Sequence, residues 1–354
     1  MLGKKILFEK PIDAREKQIV KTKEQSAKSL GKKFYCRVLS GLSDYNLSVN
    51  CDMTVSCCCL DHDGSGLLGD LSTSSLKEIF SSETAQTMRS MLFKGRLPIF
   101  ICANCGELKL ADKKTAHYYV SNYSVPERGI MVENTVDCTV DCLSCCRDSV
   151  LSVRRKRNLS LEDIKRISRE IKDNNIKKIN YFKLGEPFFS PTIYEEMQIL
   201  REENPDVRIY ASSNGLHLDN DVMREAASMF DGIAFSVDGI TDEMVLRYQR
   251  RGSFNRAYAN MRDLVRYRED HKLDRPQVQW KYVLFTWNDT PEVIQKAIDL
   301  SREANIDLID FVPAESPEGS ITERFFNDPF FASLGRSHYK NRRVVTGRIG
   351  EDRD

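Results

Sequence analysis

The residues of this chain most able to do chemistry are its cysteines. There are eleven, all between Cys36 and Cys146, and the last 208 residues contain none. An odd number confined to one stretch, with no apolar leader before it, does not read as a disulfide framework. Thiolate ligation of metal is the better reading. Seven cysteines fall within 36–105 and four within 138–146, which predicts two sites.

The second group has the sharper spacing. Cys138, Cys142 and Cys145 form CxxxCxxC just after a strand-like stretch, 129–136. Three thiolates at that spacing can hold three irons of a cubane cluster, leaving the fourth iron without a protein ligand. An open metal position is where something is bound and activated. Two alternatives stay open on spacing alone. One is a zinc site completed by Cys146, although adjacent cysteines are awkward tetrahedral partners; the other is buried free thiols.

The chain behind this group must position it. Ser160 reads as the N-cap of a helix with Leu161, Ile164, Ile167 and Ile171 on one face. Strands then alternate with helices: strands at 178–184, 207–212, 233–238, 277–285 and 308–312, helices at 194–200, 222–229, 241–248, 257–267 and 291–303. About six strand–helix units indicate α/β architecture with a parallel sheet, either a barrel or an open doubly wound sheet. Both place ligands at the C-terminal ends of the strands. Five organisational segments are expected. These are a basic arm at 1–33, a small α+β domain at 34–112, a linker at 113–128, the α/β core at 129–318 and a partly disordered extension at 319–354.

At those strand ends the residues resemble the radical S-adenosylmethionine superfamily. The cysteine trio matches its signature. Gly185, Glu186 and Pro187, ending the second strand, are similar to the family's GGEP motif with Leu184 in place of the first glycine; in the family this backbone meets the methionine amine of the cofactor. Ser213 and Asn214 in Ser-Ser-Asn-Gly resemble the segment that meets ribose and carboxylate. Ser236 and Asp238 resemble the S-x-D-G segment, followed by a Tyr-Arg-Gly-Phe string that contains Arg250. Asn288 ends a segment resembling that of the fifth strand. Ser144 departs from the family, which has an aromatic residue before the third cysteine, and a GxIxGxxE motif is missing. The resemblance covers about 129–313 and implies a partial (β/α)6 TIM-like barrel. It also implies a [4Fe–4S] cluster on Cys138, Cys142 and Cys145, with bound S-adenosylmethionine. That cofactor is cleaved reductively to a 5′-deoxyadenosyl radical, which abstracts hydrogen from a substrate.

The first cysteine group resembles the SPASM-type auxiliary iron–sulfur domain. It has a lone Cys36, a hairpin ending in Cys58-Cys59 with Asp61, a Leu-Gly-Asp-Leu turn, a Ser-Leu-Lys-Glu-Ile-Phe helix from Ser75, and Cys102-x-x-Cys105. The resemblance implies that Cys36, Cys58, Cys102 and Cys105 hold a second [4Fe–4S] cluster. The domain's further cysteines are missing, and it precedes the radical core where it ordinarily follows. Zinc is the alternative for four cysteines ending in CxxC. Cys51, Cys57, Cys59 and Cys146 are left over, as buried thiols or as functional groups; Cys146, nearest the radical trio, is the candidate hydrogen donor. His217 lies near the presumed cofactor edge.

Net charge is +1, with lysine- and arginine-rich ends around an acidic middle. The ends do not interleave aromatics with their charges, which argues against nucleic acid as a partner. No apolar run approaches a membrane span, and no secretory leader precedes the core, so the expected location is the cytoplasm. Three functions are carried forward. The first is oxidation or epimerisation of a small polar substrate such as a sugar or aminocyclitol, with flavodoxin or ferredoxin as electron donor. The second is maturation of a ribosomally made peptide. The third is a non-enzymatic iron–sulfur protein, which would leave the open iron and the cofactor-like strand ends superfluous. The first is preferred over the second because only 35 residues precede Cys36, too few for a leader-binding domain. A single auxiliary cluster also resembles the short-cap enzymes that dehydrogenate small alcohols.

Overall fold

The computed structural model describes residues 13–335 and 343–346. Its strands, in chain order, are β1 (Lys33–Cys36), β2 (Ser48–Val49), β3 (Thr54–Ser56), β4 (Leu67–Asp70), β5 (Leu108–Ala111), β6 (Ile130–Val132), β7 (Asp141–Cys142) and β8 (Lys178–Asn180). They continue with β9 (Arg208–Ser213), β10 (Gly232–Ser236), β11 (Gln249–Arg250), β12 (Gln277–Leu284), β13 (Leu308–Pro313) and β14 (Arg343–Thr346). The chain forms two compact units. One gathers residues 1–136, 146–183 and 199–208; the other gathers 137–145, 184–198 and 209–354.

In the first unit β8, β6 and β2 run parallel, and β2, β3 and β4 continue as an antiparallel meander. The turn between β2 and β3 puts Met53 at φ 68, and Met53 N donates back to Asn50 O at 2.8 Å. The helix Leu161–Asp173 forms as its sequence dictates. Ser160 and Asp163 make a capping box, and Ile164, Ile167 and Ile171 are buried along one stripe. Each buried isoleucine stabilises by about 1.5–3 kcal/mol. The polar side of that helix is also engaged: Arg166 donates to Leu71 O, and Glu170 accepts from Leu76 N at 3.0 Å. These bonds tie the helix to the segment following β4.

Two segments of this unit are more ordered than the sequence suggested. Part of the expected basic arm is a helix, Ala14–Ser29, with a capping box between Asp13 and Glu16. Only Ala27 is buried on it, so it carries almost no apolar period; it is held by polar contacts, Lys23 Nζ to Ala103 O at 2.6 Å and Leu97 N to Glu24 at 2.7 Å. The expected linker opens with a helix, Lys113–Ser121, capped by Asp112.

In the second unit β9, β10, β12 and β13 are parallel neighbours, and β14 adds antiparallel to β13. Of the expected C-terminal extension, 324–327 and 329–333 are short helices and 343–346 is that edge strand; 336–342 and 347–354 lie outside the described residues. Two motif glycines are required by close packing. Gly215 has φ +76, and a Cβ there would stand 2.8 Å from the Phe235 ring. A Cβ on Gly239 would stand 2.5 Å from that of Met244.

The long helix Phe254–Asp270 is pinned by a buried ion pair. Arg268 donates to Asp307 at 2.5 Å and to Pro276 O at 2.8 Å, while Val278 N donates to the same Asp307 oxygen at 2.6 Å. Removing one member of a buried pair strands the other. Arg268→Ala should therefore lower stability by about 3–5 kcal/mol, read as a fall in the urea midpoint; a change within about 0.5 kcal/mol, as at an ordinary surface position, would contradict this role.

Candidate functional site

In the second unit the trio Cys138, Cys142 and Cys145 lies on a loop that β7 anchors. β7 pairs antiparallel with β11, Gln249 opposite Cys142 and Arg250 opposite Asp141, and Leu143 N donates to Tyr248 O at 3.0 Å. The Tyr-Gln-Arg string is thus the backbone partner of the cysteine loop, and the Arg250 side chain is exposed. Burial first, and then the charges of Asp238, Cys145 and Cys138, push the Cys142 thiol up to about 12. A thiol so placed ionises when a metal cation takes the proton's place. The donor set of three thiols on one loop therefore suits metal.

Glu186 organises the neighbouring strand ends. Its side chain is buried and accepts from Asn214 N at 2.6 Å, from Ser213 Oγ at 2.8 Å and from Phe188 N at 3.2 Å. Its own N–H donates to Asp137 O at 2.8 Å, next to Cys138. Burial lifts the Glu186 carboxyl to about 7 against the pull of those three donors. Asn214 in turn points its amide at Cys138 Sγ, 3.7 Å away, and at Thr139 Oγ1, 3.3 Å away. Gly185 and Pro187 flank Glu186, with Pro187 opening a short 3₁₀ turn.

Asp238 is buried, accepts from Val283 N at 2.9 Å, and is lifted by burial to about 6. Ser236 Oγ lies 3.1 Å from Ser212 Oγ. The Asn288 side chain bonds Asp238 O, Val283 O and Phe285 N, shaping the loop after β12. Two residues gain a place beside the trio. Thr139 accepts from Asn214, and its Oγ1 lies 3.3 Å from His217 Nε2, whose imidazole burial holds below the ordinary histidine range. Thr139 carries no motif signal of its own; only its position inside CxxxCxxC could have flagged it. Cys146 is exposed at the head of the helix Arg147–Leu151.

In the first unit, Cys36, Cys57, Cys58, Cys102 and Cys105 line one cavity, walled otherwise by Ile99, Ile101 and Leu108. All four expected ligands are there, and Cys57 joins them as a fifth. Cys58 Sγ lies 3.7 Å from Cys105 Sγ. Cys59 is engaged elsewhere, its thiol donating to Asn46 Oδ1 at 2.8 Å, and Cys51 donates to Lys156 O at 3.2 Å. Burial drives the Cys36 and Cys102 thiols up to about 12 and Cys57 well above its usual value. Among the described residues no three Cys, His, Asp or Glu side chains converge at single-ion distance. Five cysteines at one apolar-walled cavity are the donor type that iron–sulfur clusters use.

Two measurements follow from these placements. Protein reconstituted without oxygen should bind close to eight irons, two cubanes, and replacing Cys138, Cys142 and Cys145 with Ala should remove about half. Zinc in place of iron in anaerobically purified protein would refute this. Separately, Glu186→Ala should weaken S-adenosylmethionine binding by about tenfold or more, since removing a buried acceptor leaves three donors unsatisfied at about 1–3 kcal/mol each. Iron content should stay unchanged, because Glu186 holds the Ser213–Asn214 turn and not a cysteine sulfur.

The comparisons with known proteins agree with this arrangement. The family model for the radical SAM superfamily matches residues 132–273, and that for the SPASM iron–sulfur cluster-binding domain matches 41–106. Cys36 lies outside the second range, yet its thiol lines the same cavity. Solved structures similar to this chain include SuiB of Streptococcus suis, at 15% identity and TM-score 0.44 over 59% of this chain and 46% of that one. The native anSMEcpe structure with bound AdoMet is similar at 15% identity and TM-score 0.40, over 53% of each chain. A third is the coproporphyrinogen III oxidase HemN of Escherichia coli, at 17% identity and TM-score 0.31, over 43% of this chain and 35% of that one. The chain spans about half or less of the length of these structures, and no curated protein sequence matches it. No helix among the described residues is long and apolar enough to cross a membrane. Both family models agree with the two cysteine groups: the chain carries a radical SAM domain over residues 132–273 and, before it, an iron–sulfur cluster-binding SPASM domain over residues 41–106.

Proposed function

We propose that the protein abstracts hydrogen from a small polar substrate, of the sugar or aminocyclitol kind, and converts it by oxidation or epimerisation. The observation carrying this reading is the trio loop coupled through Asn214 to the buried Glu186 at the strand ends. When bound, the clusters and S-adenosylmethionine supply an electron, the 5′-deoxyadenosyl radical and an electron acceptor. The chain's own residues do the rest. Cys138, Cys142 and Cys145 hold the radical-site cluster, and Cys36, Cys58, Cys102 and Cys105 hold the second, with Cys57 competing for Cys58's place. Glu186 fixes the turn whose Ser213 and Asn214 meet the cofactor, with Gly185 and Pro187 beside it. Asp238 and Ser236, at the end of β10, and Arg250, on β11, complete the cofactor's surroundings, and Asn288 supports them by holding the Asp238 carbonyl. Flavodoxin or ferredoxin is the reductant that fits, and the cytoplasm is where such a donor is found.

Substrate size is preferred on the cysteine count, which provides for one auxiliary cluster. Oxidation removes a hydrogen atom, then an electron and a proton, and leaves a ketone. Epimerisation instead returns a hydrogen atom from a thiol to the opposite face, leaving a thiyl radical that one electron from the reductant and one proton restore, and Cys146 is the thiol assigned to that route.

Reduced wild-type protein should form 5′-deoxyadenosine, and the triple alanine variant of the trio none. A polar alcohol should accelerate that formation with one product per turnover. If peptides accelerate it and no sugar or aminocyclitol does, the peptide reading replaces this one. With a small substrate in deuterium oxide, an oxidised product free of solvent deuterium is the expected outcome; deuterium at an inverted carbon, lost in Cys146→Ala, would establish epimerisation instead.

A further inference from the structure

The C-terminal ends of β2, β6 and β8 carry a polar group that neither cysteine set uses, all of it within the first unit. Asn50 follows β2, Glu133 follows β6, and Lys183 stands three residues beyond β8. Lys183 Nζ donates to Asn50 Oδ1 at 3.0 Å. The ammonium can only donate, so Oδ1 faces Lys183, and Asn50 Nδ2 donates to Thr54 Oγ1 at 3.0 Å and Ser56 Oγ at 2.9 Å. An ammonium has three N–H groups, so two on Lys183 remain, and among the described residues no carboxylate forms an ion pair with it.

Beside it, Glu133 and Arg154 form an almost fully buried pair. Arg154 Nε donates to Glu133 Oε2 at 2.7 Å, with the two side chains 2% and 0% exposed. Cys51 N donates to the same oxygen at 3.4 Å. Glu133 Oε1 and Arg154 Nη2 are both buried with no hydrogen-bond partner. A buried polar atom left unpaired costs about 1–3 kcal/mol. Two such atoms mark the Glu133–Arg154 pair as incompletely satisfied by its own neighbours. Burial holds the Lys183 ammonium below the ordinary lysine range, with Glu133 and Asp61 opposing the fall and Arg154 adding to it. The neighbouring His62 imidazole is likewise lowered, by burial first and then by Lys183. Lys183 keeps part of its surface in solvent, so a ligand can reach it. Strand C-termini are where parallel α/β folds bind their ligands.

We propose that Lys183, the partly exposed member of this group, binds a carboxylate or phosphate of a small molecule. Asn50 is a positioning residue that aims the ammonium. The site does not rest on the hydrogen-abstraction reading and stands or falls apart from it.

The test is lysine protection in the full chain, reconstituted without oxygen. Reductive methylation is followed by peptide mass spectrometry in inorganic phosphate, in acetate, or in sodium chloride at matched ionic strength, with the exposed Lys77 as internal control. One of the two anions should slow Lys183 methylation about tenfold at ten times its Kd, following the 1 + [L]/Kd occupancy law, and leave Lys77 unchanged. Protection by phosphate alone identifies a phosphorylated ligand, and by acetate alone a carboxylated one; protection by both supports the site for either. Equal rates in all three salts overturn the proposal. As a second measurement, the protecting anion should raise the Tm of wild type but not of Lys183→Met. A shift that survives in Lys183→Met also overturns it.

Discussion

A carboxylate deprived of water must be given donors, and the arrangement around Cys138 follows from how Glu186 obtains them. Its two oxygens collect the Phe188 and Asn214 amides and the Ser213 hydroxyl. One side chain thereby binds the end of the segment after β8 to the end of β9. With its backbone held, Asn214 has a single direction in which to extend its own amide, toward Cys138 and Thr139. An N–H group facing a cluster thiolate favours the more negative state of that sulfur, and hydrogen bonds of this kind tune a cluster's potential. The buried acid thus sets both the shape of the Ser213–Asn214 turn and the electrostatics of the nearest cysteine.

The first unit faces a different constraint. Five thiols share one apolar-walled cavity, and burial raises the affinity of several for their protons. Left protonated they are small hydrophobes; deprotonated without a counter-charge they are costly. Metal held by these thiols would resolve the conflict by replacing several protons at once, which would couple formation of this site to its loading. A cubane takes four cysteines and five line this cavity, so one of the five would remain a thiol. Cys59, by contrast, is held by Asn46 and points its thiol there.

Motif order and strand-end placement were legible in the chain. The capped helix after Ser160 and the alternation from Lys178 to Pro313 carry periodic apolar patterns, and these produce the elements observed. Segments held by polar contacts carried no such signal. The helix Ala14–Ser29 buries a single alanine and is fastened through Lys23 and Glu24, so no apolar stripe marks it. Edge strand β14 is specified by pairing with β13 more than by its own composition.

The sequence by itself determined the chemistry: which cysteines are spaced to share a cluster, which strand ends carry cofactor-like residues, and that a SPASM-type group comes first. Those properties are local, being fixed by residue type and by separations of a few positions. Tertiary structure decided which side chains face each other across long separations. It placed Cys57 with Cys36 and Cys102, turned Asn288 to its own loop, brought His217 to Thr139, and set Lys183 beside Asn50 and the Glu133–Arg154 pair. Such contacts are made by strand register and helix packing. No spacing rule reaches from residue 50 to residue 183, because the parallel strands that bring them together are joined through most of the unit's length.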